Sequence, residues 1–246
     1  MMRRTHLCAI GMLLVASLCH GVPDAAAQED PYPAMAPIDA YLMDRDAEIQ
    51  LARSAAPDSL SRDATVLVLG RHGYETAVEG TNGFVCLVAR SWIAAFDWPE
   101  FWNPKIRAAD CMNRQAARSL VPVIVLRSEV AMAGRSKEDM LAAIRAAYEQ
   151  GDVPALAYGA MDYMMSKSAY LTDMGDHNAP HLMFFTMGLE SADWGSGVAN
   201  SPVMAAPYWF FWPQDTAQLD GLPPINVFLV GVPTWSDGAP AGGQDH

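Results

Sequence analysis

Two histidines and an aspartate stand close together in the last third of the chain, and all three side chains are common metal ligands. Asp176 and His177 precede His181 by only a few residues, and Met183 follows it. Imidazole and thioether ligands together suit copper, whereas two imidazoles and a carboxylate suit zinc or iron. We therefore expect a candidate site for copper or zinc at His177, His181 and Asp176, either in a metal-binding protein or in a metal-dependent hydrolase.

The same histidines also fit a fold that binds no metal. Residues 181–187 are mostly apolar and predict a strand, on which His181 and Met183 share one face. Methionine is also a common core residue because it fills irregular gaps. A turn histidine followed by an ordinary core strand is therefore the alternative interpretation.

Aromatic residues offer a second kind of site. They concentrate at residues 92–102 and 208–212, and a further group of methionines surrounds a tyrosine at 161–165. Exposed aromatic faces could stack against sugars or apolar ligands in a cleft, whereas buried ones would only pack the core. The candidate ligand-binding residues are Trp98, Trp212, Tyr163 and Met165.

No common catalytic motif is complete in this sequence. Residues 194–198 resemble the turn that carries a nucleophilic serine, but Trp194 and Val198 stand where that turn needs glycine. A phosphate-binding loop, a dinucleotide fingerprint, a His-Glu-x-x-His motif and a calcium loop are all missing. We therefore predict no catalytic residues and favour a protein that is not an enzyme.

The first 27 residues have the layout of a secretory signal peptide. Arg3 and Arg4 are followed by an apolar run at 7–19 and by the small residues 25–27, which suit a cleavage site. The apolar run is too short to span a bilayer, which takes about 18 residues or more. We expect a cleaved signal peptide near Ala27 and a periplasmic or extracellular protein without a membrane span.

The predicted export also determines how the cysteines are interpreted. Cleavage would remove Cys8 and Cys19 and leave Cys86 and Cys111. An isolated pair in an oxidising compartment predicts a disulfide, with two free thiols or two metal ligands as the alternatives.

The charge argues against one class of partner. The formal net charge of the chain is −12, and it becomes −13 when cleavage of the signal peptide removes two arginines and one aspartate. An excess of acid repels phosphate backbones, so we expect no nucleic acid as a partner.

The order of helix and strand signals predicts an α+β fold. A helix at 38–54 precedes a three-stranded antiparallel meander at 64–69, 74–79 and 84–89. A helix follows at 104–120, then an apolar stretch from Pro122 to 133, and then a helix after Ser136, where a capping box begins. Strands at 160–166, 181–187 and 225–230 complete the chain. The expected organisation is a flexible lead-in at 28–37, one globular domain at 38–238 and a disordered tail at 239–246.

Four segments together resemble a family of uncharacterised exported bacterial proteins. They are residues 51–57, the Gly-Thr-Asn-Gly-Phe-Val-Cys motif at 80–86, residues 159–167 and the Pro-His-Leu-Met-Phe motif at 180–184. The family has no known activity. The resemblance therefore implies an exported domain and adds no mechanism.

These observations favour an exported soluble protein that binds a small molecule or an envelope protein without covalent chemistry. The alternatives are the metal protein centred on His177 and His181, and a structural protein of the envelope.

Overall fold

The structure is a computed structural model that describes residues 31–174, 179–188, 191–196, 198–208 and 222–242. The predicted signal peptide with Cys8 and Cys19, the metal candidates Asp176 and His177, and Trp212 lie outside the described residues. Within the described part, no helix is both long enough and apolar enough to cross a membrane.

The chain folds as α+β, with four α-helices and eight strands among the described residues. The helices are α1 (Arg45–Arg53), α2 (Asp58–Ser61), α3 (Arg114–Met132) and α4 (Lys137–Gln150). Short 3-10 helices occupy Ile38–Ala40, Ser91–Ile93 and Ser191–Trp194. The strands are β1 (Thr65–Gly70), β2 (Gly73–Val78), β3 (Val85–Ala89), β4 (Ala108–Met112), β5 (Met161–Met164), β6 (His181–Met187), β7 (Val203–Tyr208) and β8 (Ile225–Gly231).

Capping side chains explain where the helices begin. The predicted first helix is divided, because the Asp44 carboxylate accepts hydrogen bonds from the backbone N–H groups of Asp46 and Ala47 and starts α1 there. The predicted capping box at Ser136 is confirmed, with Asp139 as its partner. The predicted apolar stretch from Pro122 belongs to α3, which is capped by Asn113 and continues through Pro122.

All eight strands form one mixed sheet, in the order β2-β1-β3-β4-β5-β6-β8-β7. The pairs are antiparallel except β1 with β3. Helices α3 and α4 contribute to the apolar cluster on one face, and α1 contributes to the cluster on the other face. We call these the α3 face and the α1 face.

The predicted antiparallel meander is corrected to a mixed arrangement. Its three strands exist, but β3 pairs with β1, in parallel, instead of with β2. The connection from β2 to β3 therefore crosses the beginning of β1. A side chain at Gly80 would clash with the backbone of β1, since its Cβ atom would lie 2.1 Å from the Thr65 backbone nitrogen.

The predicted disulfide between Cys86 and Cys111 is confirmed, but its second cysteine lies in a strand. Cys111 belongs to β4 and not to the predicted helix at 104–120. The two cysteines are direct partners in the β3–β4 pair, with Cα atoms 4.0 Å apart, and both are fully buried on the α1 face. The bond thus joins two neighbouring central strands.

Replacing both cysteines with alanine should lower the free energy of unfolding by about 3–4 kcal/mol. The bond closes a loop with a sequence separation of 25 residues, and a loop of that size restricts the unfolded chain by about this amount. Urea unfolding of the mature protein measures the change. Cys86→Ala alone should lose nearly as much, and a double variant within about 1 kcal/mol of the wild type would contradict the prediction.

Candidate functional site

Three side chains converge on one aspartate at the surface, and two of them come from distant parts of the chain. The hydroxyl groups of Tyr32 and Tyr170 donate hydrogen bonds to Asp173, one to each carboxylate oxygen. The Lys105 ammonium group donates to the same carboxylate over 2.8 Å. We call these four residues the Asp173 cluster.

The buried carboxylate of Glu100 holds the backbone that carries Asp173. Glu100 is 1 % exposed and accepts hydrogen bonds from the Thr172 hydroxyl and the Asp173 backbone N–H. It also accepts one from the Asn103 side-chain amide over 2.7 Å. The segment 172–173 is therefore tied to the loop that follows β3, and Asp173 has a defined position although it lies at the surface.

Two cations hold that loop on the helices. The Arg127 guanidinium group of α3 lies 4.4 Å from the centre of the Phe96 ring and donates to the Ala94 carbonyl over 2.6 Å. The Lys137 ammonium group at the start of α4 lies 4.5 Å from the centre of the Phe101 ring. Cation–π contacts of this kind are stronger when water is excluded. The candidate ligand residue Trp98 lies between the two phenylalanines in sequence and is half-buried.

Charge reinforces the geometry of the cluster. Hydrogen bonds from Lys105 and then from the two tyrosines hold the pKa of Asp173 well below its usual range. The same carboxylate raises the pKa of Lys105 and of Tyr170. At neutral pH, Asp173 is therefore an anion, Lys105 is a cation and both tyrosines keep their protons.

A second group of polar side chains lies inside the protein, on the α3 face. Asp110 of β4 and Asp162 of β5 are 3 % and 0 % exposed. Both Asp162 oxygens and Asp110 Oδ1 lack a hydrogen-bond partner of normal geometry, and the two carboxyl groups interact with each other. Burial raises the pKa of Asp162 to about 7. Burial, together with the Asp162 carboxylate, raises the pKa of Asp110 well above its usual value.

His181 lies on the same face, at the beginning of β6. It is 2 % exposed, and its Nδ1 atom lies 2.8 Å from the Ala179 carbonyl oxygen. A carbonyl oxygen can only accept, so Nδ1 carries the proton and Nε2 keeps its lone pair. Burial lowers the pKa of His181, which favours the neutral ring.

The remaining sequence candidates lie on the other side of the sheet. Tyr163 packs on the α1 face, with its ring centre 6.2 Å from that of Phe84. Met165 is 6 % exposed and bonds through its backbone to Ala55 and Ser236. Because Phe96 belongs to the cluster on the α3 face, the structure does not bring Tyr163 together with the aromatic loop.

Sequence reasoning missed most of the residues described above. Tyr32, Lys105, Tyr170 and Asp173 carry no recognised local pattern, because only the fold brings Tyr32 and Lys105 to the other two. The buried acids did carry a signal, since Glu100, Asp110 and Asp162 each interrupt an otherwise apolar or aromatic segment. In the parts of the chain that the structure describes, no three histidine, cysteine or carboxylate side chains are grouped so that they could hold a metal ion.

Comparison with protein families, with curated proteins and with solved structures finds nothing that matches this chain.

Proposed function

We propose that the chain is an exported protein that binds a saccharide at the Asp173 cluster and does no covalent chemistry on it. The observation that carries this proposal is the convergence of Tyr32, Lys105 and Tyr170 on Asp173. Export rests on the signal-like residues 1–27, and the Cys86–Cys111 disulfide fits it because disulfides persist in oxidising compartments.

Fixed polar side chains at a surface favour binding. A free lysine or tyrosine loses rotamer entropy when it grips a ligand, at a cost of about 0.5–1.5 kcal/mol for each side chain. In the Asp173 cluster, hydrogen bonds already restrict Tyr32, Lys105 and Tyr170 before any ligand arrives. Glu100 removes further freedom by fixing the backbone that carries Asp173.

The composition of the cluster indicates the chemical class of the ligand. Tyrosine combines an apolar ring with a polar hydroxyl, and it supplies contact area at a low entropic cost. The Lys105 side chain is 58 % exposed, so a ligand can reach its ammonium group. A ligand with an apolar ring face and several hydroxyl groups, as in a saccharide, matches both features.

Tyr170→Ala should weaken saccharide binding at least about tenfold, which corresponds to about 1.4 kcal/mol. The substitution removes a partly exposed ring and also releases one Asp173 oxygen. A glycan array with the mature protein identifies the saccharide that binds most strongly, and isothermal titration calorimetry with that saccharide measures the dissociation constants.

Tyr158→Ala is the matched control. Tyr158 is fully exposed and lies beside Gly159, whose carbonyl accepts from Asn113 just after β4. Tyr170 instead bridges to Arg107, just before β4, so the two tyrosines lie at opposite ends of that strand. A glycan array without binding, or an equal loss in Tyr158→Ala, would overturn the proposal.

A further inference from the structure

Four side chains form a square on two neighbouring strands in the buried α3 face. Met164 of β5 is the direct partner of His181 of β6, and Asp162 is the direct partner of Met183. Direct partners have Cβ atoms about 4.5–5.5 Å apart, and residues two apart on a strand are about 7 Å apart on the same face. We call these four residues the β5–β6 square.

Each corner of the square is shielded from water. Asp162 and Met183 are 0 % exposed, His181 is 2 % exposed and Met164 is 8 % exposed. Three of these residues are ordinary core material, but Asp162 is a buried carboxyl group that is coupled to a second one, Asp110 of β4. Two buried carboxylates that lie together cannot both keep their charge, so the pair retains a proton or binds a cation.

The side chains at the other three corners are ligands that suit the same metal. Thioether sulfurs are soft ligands that select copper(I), and a neutral imidazole also suits copper. His181 is prepared for this role because its Nδ1–H is held by the Ala179 carbonyl, which leaves Nε2 as the coordinating atom. A backbone carbonyl on the far nitrogen is the usual support of a metal-binding histidine.

We propose that the β5–β6 square is a copper(I) site, with His181 Nε2 and the sulfur atoms of Met164 and Met183 as ligands. The Asp162 carboxylate balances the charge of the ion. Methionine side chains are flexible, so both sulfur atoms can turn towards the imidazole when the ion binds. This ligand set draws Met164 from β5 and two residues, His181 and Met183, from β6, and it does not depend on Asp176 or His177.

A competition titration with the copper(I) chelator bathocuproine disulfonate, without oxygen, tests the site on the mature protein. We expect one copper(I) ion for each chain. Met164→Leu and Met183→Leu should each weaken copper binding by about tenfold or more, since even supporting residues of metal sites contribute about 10–100-fold. Leucine conserves most of the volume of methionine, so both variants should keep the fold.

Met140→Leu and Met174→Leu are the controls. Met140 is fully buried in α4 outside the square, and Met174 is 71 % exposed. Neither substitution should change the copper affinity, and X-ray absorption should show sulfur and nitrogen neighbours in the wild type and one sulfur fewer in Met183→Leu. Absence of stoichiometric binding, or an equal loss in either control, would overturn the assignment.

Discussion

Glu48→Gln should destabilise the protein by about 3–5 kcal/mol, the largest effect that we expect from a single substitution. Glu48 of α1 forms an ion pair with Arg90, which follows β3, over 2.9 Å. Both side chains are no more than 1 % exposed. Removal of one partner from a buried pair leaves the other charge uncompensated, and losses of this size follow.

The surrounding hydrogen bonds explain why the loss should be near the top of that range. The Glu48 Oε1 atom also accepts from the Leu69 backbone N–H of β1 over 3.1 Å. Arg90 donates to the Tyr41 carbonyl over 2.8 Å and to the Val88 carbonyl. The pair thus joins α1, two strands and the segment before α1, and glutamine can neutralise none of the charge on Arg90.

Urea unfolding at neutral pH measures the change, and Glu149→Gln is the control because Glu149 is exposed near the end of α4. An exposed substitution of this kind usually changes stability by less than about 0.5 kcal/mol. If Glu48→Gln and Glu149→Gln were equally stable, the ion pair would have no net role in the folded state.

Sequence patterns were sufficient wherever an element carries its own signal. The β-branched residues of β1 and the apolar runs of β6 and β8 predicted strands that the structure confirms. The Ser136 capping box likewise predicted the beginning of α4. Each of these signals is local, because a strand or a helix start depends on residues within a few positions.

The errors arise where the decisive contact is distant in sequence. Residues 108–112 contain alanine, aspartate, cysteine and methionine, which have little preference for strands. They form β4 because β3 and β5 pair with them on both sides. The parallel pairing of β3 with β1 is likewise decided by a crossing at Gly80, which no periodicity reveals.

The candidate sites show the same division. The sequence indicated His181 and Met183 as possible ligands on one strand face, and the structure confirms that both lie on the buried face. The sequence could not indicate Met164 or Asp162 as their partners, because the register of β5 against β6 depends on the whole sheet. The Asp173 cluster joins residues 32 and 173, so only the tertiary structure brings it together.

Asp162→Asn should remove a large part of the pH dependence of stability, measured without added metal. Burial raises the folded-state pKa of Asp162 to about 7, whereas an aspartate in an unfolded chain titrates near about 3.9. A difference of this size corresponds to about 4 kcal/mol between the two protonation states. Asparagine has no proton to lose in this range.

The direction of the pH dependence follows from the raised pKa of Asp162 in the folded protein. The folded protein binds the proton of Asp162 more tightly than the unfolded chain does, so this contribution is fully present below about pH 4. It is lost as the pH rises towards about 7, where the folded protein must also release the proton. Asp110 and His181 share the face with Asp162. The Asp162 carboxylate also raises the pKa of Asp110, so the comparison reports the titration of the Asp110–Asp162 pair and not of Asp162 alone.

Urea unfolding of the wild type and of Asp162→Asn at about pH 5 and about pH 8 tests this expectation. The wild type should lose about 2–3 kcal/mol relative to the variant between those two conditions. Asp152→Asn, an exposed change after α4, should follow the wild type at both values. A stability difference between the wild type and Asp162→Asn that stays constant with pH would mean that Asp162 already carries its charge in the folded core. The carboxylate would then need a compensating partner at neutral pH, and the cation of the β5–β6 square would be the first to test.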